Sequence, residues 1–330
     1  MNKEYFAIRE TCPGCKSEQS VKLVDFDYTS PPISDYLTHF YSPLGPGVDF
    51  KYLAGSRYRV DECQACGLIY QREIPNDELM EMLYEHWLDA DILRPIEQGE
   101  RTVTFYMGCT AEIARVLNYF GKPPATVKFL DFGMGWGNWC LIAKGFGCDV
   151  YGTELSDTRL RNAAPLGINS VRWEELPNYQ FDFINAEQVF EHLAQPLDTL
   201  IHLKRALRPG GILRLGVPPG LEIKRRLAVG DWLAPESSPN SLNDIAPLQH
   251  INCFNFDAMV TMGRLAGLEE IEIPSELLQP ATLVGKLKSL LRPYHHALFP
   301  RQHQANRRRG TTLCFRRSDD NRETGVQSNN

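Results

Sequence analysis

Ten residues set the frame for the whole chain: Phe129-Leu130-Asp131-Phe132-Gly133-Met134-Gly135-Trp136-Gly137-Asn138. Residues of strand type, Val127 to Leu130, run into an acid and then into three alternating glycines. A helix-like stretch follows, Trp139-Cys140-Leu141-Ile142-Ala143-Lys144. A strand, a glycine turn and a helix in this order lay out a nucleotide-type binding loop. Glycine lets the chain turn sharply and lets a ligand approach the main chain without a Cβ in the way. The helix then aims its free N–H groups over the loop. Glycine clusters also make plain turns, so the assignment needs support from the rest of the chain.

That support comes from the segments that follow. Strands are expected at Val127–Phe132, Asp149–Thr153, Ile168–Trp173, Phe181–Asn185 and Ile212–Val217. Helices are expected near Asp157–Ala164 and Pro196–Leu207. Such alternation predicts an α/β fold, a Rossmann-like doubly wound sheet of seven mostly parallel strands. A further helix, Asp257–Leu265, leads to a strand at Glu269–Ile273, and a last strand near Thr311–Arg316 is expected to close the sheet antiparallel. In open sheets of this kind ligands sit beyond the carboxyl ends of the strands. Asp131, Glu154, Glu174 and Glu187 all fall at or just past such ends. Glu154, 21 residues after Gly133, can accept hydrogen bonds from both hydroxyls of an adenosine ribose. That carboxylate serves NAD as well. A dinucleotide fingerprint, however, needs glycine at 138, where Asn138 stands.

Ahead of this region lie Cys12-Pro13-Gly14-Cys15 and Cys63-Gln64-Ala65-Cys66-Gly67. Two C-x-x-C pairs beside glycines can present four thiolates, Cys12, Cys15, Cys63 and Cys66, to a structural zinc with a closed shell. A thioredoxin-like redox motif or four inert thiols are the alternatives; neither pair sits in a β-α-β pattern. Residues 25–59, rich in Tyr, Phe, Pro and Gly, are expected to be irregular with a few short strands. Asn76-Asp77 can cap a helix through Tyr84, and a second helix is expected from Arg101 to Phe120, ending at Gly121. The expected division is a zinc-ribbon-like module at 1–74, linking helices at 75–124 and a cofactor-binding core at 125–274. A basic segment with the last strand follows at 275–317, then a disordered tail at 318–330.

The glycine stretch, spaced D-x-G-x-G-x-G, resembles the first motif of the class I S-adenosylmethionine-dependent methyltransferases. Asp131, Gly133, Gly135 and Gly137 stand on the matching positions. Trp173-Glu174-Glu175-Leu176-Pro177 is similar to the family segment in which an acid meets the adenine amino group, here Glu174. Glu187-Gln188-Val189-Phe190-Glu191-His192-Leu193, and Leu203 to Gly211, look like its later motifs. The resemblance covers about 125–273. It implies S-adenosylmethionine as cofactor, bound through Asp131, the three glycines, Glu154, Glu174 and Glu187. The Glu191-His192 pair resembles that of quinone-biosynthesis O-methyltransferases. Some of those bind a metal with an acid three residues earlier; Gln188 at that position argues against a catalytic metal. The paired C-x-x-C knuckles resemble the zinc-ribbon methyltransferases of bacterial sugar and surface-polysaccharide pathways. The chain departs from them in the wide gap between its cysteine pairs and in lacking a long second α/β domain.

Methyl transfer to a hydroxyl or an activated carbon needs a base. His192 and His250 are the candidates, although His192 can also serve to orient a loop and His250 to cap the next helix. The expected acceptor is a small molecule, a sugar or nucleotide-sugar first. An NAD-type oxidoreductase and a non-catalytic binding protein of the same fold are the other readings. The net charge of −6 gives no pull toward nucleic acid. The charged start lacks an apolar signal region, no stretch approaches a membrane span, and nine unevenly placed cysteines do not suggest a secreted framework, so a cytoplasmic location is expected. Pro218–Asn252 is long enough to be a substrate lid. The basic 283–309 stretch is expected either to meet a membrane surface or an acidic partner, or to be a solvated face.

Overall fold

The computed structural model describes residues 4–278 and 312–318. In chain order the strands are β1 (Phe6–Ile8), β2 (Ser20–Asp27), β3 (Arg57–Cys63), β4 (Ile69–Gln71), β5 (Glu73–Pro75), β6 (Lys128–Phe132), β7 (Asp149–Thr153), β8 (Asn169–Ser170), β9 (Phe181–Glu187), β10 (Leu207–Gly216), β11 (Asn252–Cys253), β12 (Leu268–Ile271) and β13 (Thr312–Arg317). The helices are α1 (Ile33–Tyr41), α2 (Asp77–Met82), α3 (Ala90–Gly99), α4 (Val103–Phe120), α5 (Asn138–Gly145), α6 (Asp157–Ala163), α7 (Pro196–Ala206), α8 (Ile223–Val229) and α9 (Phe256–Leu265). They gather into two compact units that do not follow chain order. Among the described residues the first comprises 4–105, 190–196 and 218–261, and the second 106–189, 197–217, 262–278 and 312–318.

The second unit holds a seven-stranded sheet in the order β12-β13-β10-β9-β6-β7-β8. Strands β10, β9, β6, β7 and β8 pair in parallel, while β13 runs antiparallel to both β10 and β12. This is the expected sheet, antiparallel strand included. Six of the seven residues of β9 are buried, as a central parallel strand covered on both faces requires. Phe129 of β6 and Phe183 of β9 meet edge to face at 5.1 Å in the core. In α4 the buried Cys109, Ile113, Val116 and Leu117 recur at helical spacing. The third expected strand, Ile168–Trp173, shortens to the two residues of β8, and a 3₁₀ turn, Trp173–Asn178, begins at its last residue. Strand order reverses between β9 and β6: the chain steps outward from β6 to β8, then returns to the other side of β6. The carboxyl ends of β6 and β9 therefore flank a topological switch point, where this class of sheet binds its ligands.

The first unit is built on a four-stranded antiparallel sheet, β11-β4-β3-β2, with a small β1-β5 ribbon. The aromatic region 25–59 is more regular than expected: it completes β2, forms α1 and enters β3. Its Tyr28, Tyr36, Tyr41 and Tyr58 are buried in one core with Trp232. Trp232 meets Phe26 and Tyr58 edge-on at 5.6 and 5.5 Å. The expected lid, 218–252, anchors its apolar residues in this core: Ile223, Leu227, Trp232, Leu242, Ile245, Ala246 and Leu248 are buried in that cluster. Backbone groups of this irregular segment are satisfied by side chains. Tyr58 Oη donates to Ile245 O at 2.6 Å, and Gln71 Nε2 donates to Ala246 O and His250 O at 2.8 and 3.0 Å. Asn76 caps α2 as expected, accepting from Leu79 N–H at 3.0 Å; a π turn, Leu83–Trp87, and the unexpected α3 follow. Among the described residues no helix is long and apolar enough to cross a membrane. The basic 283–309 stretch and the tail from 319 lie outside the described residues.

Candidate functional site

Phe132 ends β6, and the glycine loop begins at once. Gly133, Gly135 and Gly137 all take positive φ, 73°, 54° and 81°. An L side chain would be strained there. Two of the three are also tight: a Cβ on Gly133 would lie 2.7 Å from Val189, and one on Gly137 would lie 2.5 Å from Ile168. Gly135 is different, since nothing stands within 4 Å of its added Cβ. Its side of the loop is open to a ligand. Helix α5 starts directly after Gly137.

Glu154, one residue beyond β7, is fastened to this loop. Its Oε2 accepts from Gly135 N–H at 3.0 Å, and its Oε1 accepts from Leu155 and Ser156 N–H at 2.8 and 3.1 Å. Gly133 N–H donates to Thr153 Oγ1 at 3.2 Å. The strand-two acid and the loop thus form one rigid ring of hydrogen bonds. A carboxylate has about four acceptor positions; backbone N–H groups take three, Arg159 stands 3.8 Å from Oε2, and about one is left for a hydroxyl donor.

Beside the loop, three adjacent strands align a polar row. Register pairs Asp131 with Asn185 and Asn185 with Arg214. Asn185 Nδ2 donates to Asp131 Oδ1 at 2.8 Å, and Arg214 Nη1 donates to Asn185 Oδ1 at 2.9 Å. Arg214 also ion-pairs with Glu187 and, at 3.3 Å, with Glu112, and its guanidinium covers the Trp139 ring at 4.7 Å. All of Asp131, Asn185 and Arg214 are buried. Burial pushes the Asp131 carboxyl up to about 8, against the pull of the Asn185 amide and of Arg214, with Glu187 adding to the rise. Gly216 opposes Glu187 in register, and a Cβ there would meet Glu187 Oε2 at 2.1 Å, so a larger residue would displace the carboxylate from Arg214. Gln188, just past β9, holds a left-handed backbone with φ 54°, its N–H donating to Gly216 O at 2.9 Å. Such strain concentrates at ligand sites. Asn185 and Arg214 were not singled out from sequence, and Gln188 was noted only as standing where a metal-binding acid would be. The legible signal was Arg214 itself, a charge inside the apolar run Ile212-Leu213-Arg214-Leu215.

Structure therefore gathers Asp131, Gly133, Gly135, Gly137, Glu154 and Glu187 at the carboxyl ends of β6, β7 and β9. Glu174 sits exposed on the 3₁₀ turn after β8, while Glu175 is paired with Arg172 at 2.6 Å. Next to it Trp173 stacks on His202 at 4.0 Å and lies 5.8 Å from Phe132.

His192 and His250 belong to the first unit and come together there, ring centroids 4.8 Å apart. His192 Nδ1 faces Gln249 O at 3.1 Å, and His250 Nδ1 faces Asn243 O at 2.5 Å. A carbonyl only accepts, so both rings carry their proton on Nδ1 and leave Nε2 basic. Burial lowers the proton affinity of both, that of His192 to about 3 with His250 adding to it.

The four cysteines of the paired knuckles converge in the same unit, one sulfur from each within 4.8 Å of the others. Cys12 and Cys66 sulfurs are 3.7 Å apart, those of Cys15 and Cys63 3.5 Å. Sulfurs around a tetrahedral zinc at about 2.3 Å stand about 3.8 Å apart, so the donor set fits that ion. Knuckle backbone closes on itself: Lys16 N–H donates to Cys12 O and Gly67 N–H to Cys63 O at 2.8 and 2.9 Å. The Cys66 thiol and backbone N–H groups hold the Cys12 thiol below its ordinary value.

A family model described as a methyltransferase domain matches residues 107–273. No curated protein matches the sequence. Among solved structures, the plantazolicin methyltransferase BpumL, in complex with a pentazolic desmethylPZN analog and SAH, is 15% identical over 73% of this chain and 95% of its own, with a TM-score of 0.45. A Burkholderia thailandensis 1,6-didemethyltoxoflavin-N1-methyltransferase is 13% identical over 79% and 96%, with a TM-score of 0.43. A putative sarcosine dimethylglycine methyltransferase from Galdieria sulphuraria is 17% identical over 64% and 86%, with a TM-score of 0.38.

Proposed function

The chain belongs to the methyltransferase-domain family, and from that premise we propose that it moves a methyl group from S-adenosylmethionine to a small-molecule acceptor. The observation that carries this reading is the ring formed by the left-handed glycine loop and Glu154 at the switch point of the sheet. Glu154 accepts from a ribose hydroxyl, and the open face of Gly135 lets the cofactor approach the backbone. Glu174 is the acid for the adenine amino group, since Glu175 is already committed to Arg172. Asp131 and Glu187, joined through Asn185 and Arg214, shape the site for the methionine part. The sulfonium is a good leaving group, so holding the acceptor in line with the methyl supplies most of the catalysis. His192 and His250 handle the proton that the acceptor loses. The four cysteines hold one structural zinc, whose closed shell leaves no position for substrate. The paired knuckles ahead of the core favour a sugar or nucleotide-sugar of a surface-polysaccharide pathway as acceptor.

Calorimetric titration with S-adenosylhomocysteine, with NAD as the parallel control, tests the reading. Micromolar binding of the first and none of the second is expected. Glu154→Ala removes charge-assisted hydrogen bonds and should weaken binding about 10- to 100-fold. Unchanged affinity in that variant rejects the ribose assignment. Binding of NAD alone overturns the function, and cofactor binding without transfer to any acceptor points to a protein that only binds.

A further inference from the structure

The geometry points to a second metal site: a divalent transition-metal ion held by Glu191, His192 and His250. One ligand atom from each lies within 4.8 Å of the others. Glu191 and His192 stand on the single turn Phe190–His192, and His250 lies just ahead of β11, all in the first unit. Asn252 of β11 fastens that turn, its Nδ2 donating to Phe190 O and Leu193 O at 2.9 and 2.8 Å. The two imidazoles are oriented as ligating histidines are. Each anchors Nδ1–H on a backbone carbonyl, of Gln249 or Asn243, and so keeps the Nε2 lone pair for an ion. Glu191, 1% exposed, places a carboxylate beside them, its Oε1 at 3.8 Å from His192 Nε2. Ligands about 2.0–2.2 Å from one ion stand about 3.0–3.5 Å apart, so small side-chain rotations close the site.

Two imidazoles and one carboxylate suit zinc, cobalt, nickel or iron rather than magnesium or calcium. Remaining positions are open to water. All three ligands belong to the first unit, so metal binding can be read without methyl transfer.

The test uses the full chain with its cysteine site loaded with zinc. Titration with Co²⁺ should add one equivalent with visible d–d absorption and no thiolate charge-transfer band. His250→Ala and His192→Ala should weaken that equivalent by more than about tenfold, while the exposed His86→Ala should not. Unchanged zinc content shows that the variants are folded. As a measurement that needs no variant, the resonance of Cu²⁺ bound to the wild-type chain should show two coordinated nitrogens. No added Co²⁺ equivalent, one that survives both histidine substitutions, or a Cu²⁺ signal without two nitrogens overturns the site. Any of these leaves the methyl-transfer reading standing, because S-adenosylhomocysteine binding is measured separately.

Discussion

Asp131 is a carboxyl group in a place where charge is costly. It is buried and set at about 8, far above the ordinary carboxylate range. Between the unfolded value near 4 and that figure, the folded chain holds a proton that the unfolded chain has released. Its contribution to stability is therefore complete below about pH 4 and fades as pH rises through about 8. Thermal unfolding of the wild type should lose ground to Asp131→Asn as pH goes from 5 to 8. A constant difference between the two across that range would show that Asp131 is ionised throughout. The sequence placed this acid at a strand end. It could not show what surrounds it, because Asn185 and Arg214 come from strands 54 and 83 residues away and meet it only through register. Glu154 was easier to read, since the loop it serves lies close along the chain.

Elements whose signal is local were the ones legible in advance. Strand β7 and helix α2 follow from an apolar run and an asparagine cap. Connection 218–252 shows the opposite. Its prolines and glycines suggested a mobile cover, while its scattered apolar residues gave no period to reveal a destination. Trp232 packs edge-on against Phe26, Tyr36 and Tyr58 in the first unit. Trp232→Ala should therefore cost about 3–5 kcal/mol and lower the melting temperature clearly. A change within about 0.5 kcal/mol, the level of surface substitutions, would restore the view of this segment as a loose cover.

At the scale of the molecule, stability and chemistry are divided between units of different make. The second relies on a parallel sheet with both faces covered. The first relies on aromatic packing and, on our reading, on zinc. A structural zinc makes metal binding part of folding. Purified protein should carry about one cysteine-bound zinc, and a strong chelator should unfold the first unit at a lower temperature. Elemental analysis and melting curves check both; a metal-free protein with an unchanged transition would reduce the cysteines to packing groups. Sequence alone determined the α/β sheet, its antiparallel last strand and the glycine loop, because periodicity, turn chemistry and loop spacing act over a few residues. Tertiary structure alone decided the Asp131–Asn185–Arg214 row, the meeting of Glu191 and His192 with His250, and the anchoring of 218–252 through its buried apolar residues. Those depend on strand register and on a chain that leaves the first unit and returns to it, and pairings over such distances leave no pattern in neighbouring residues.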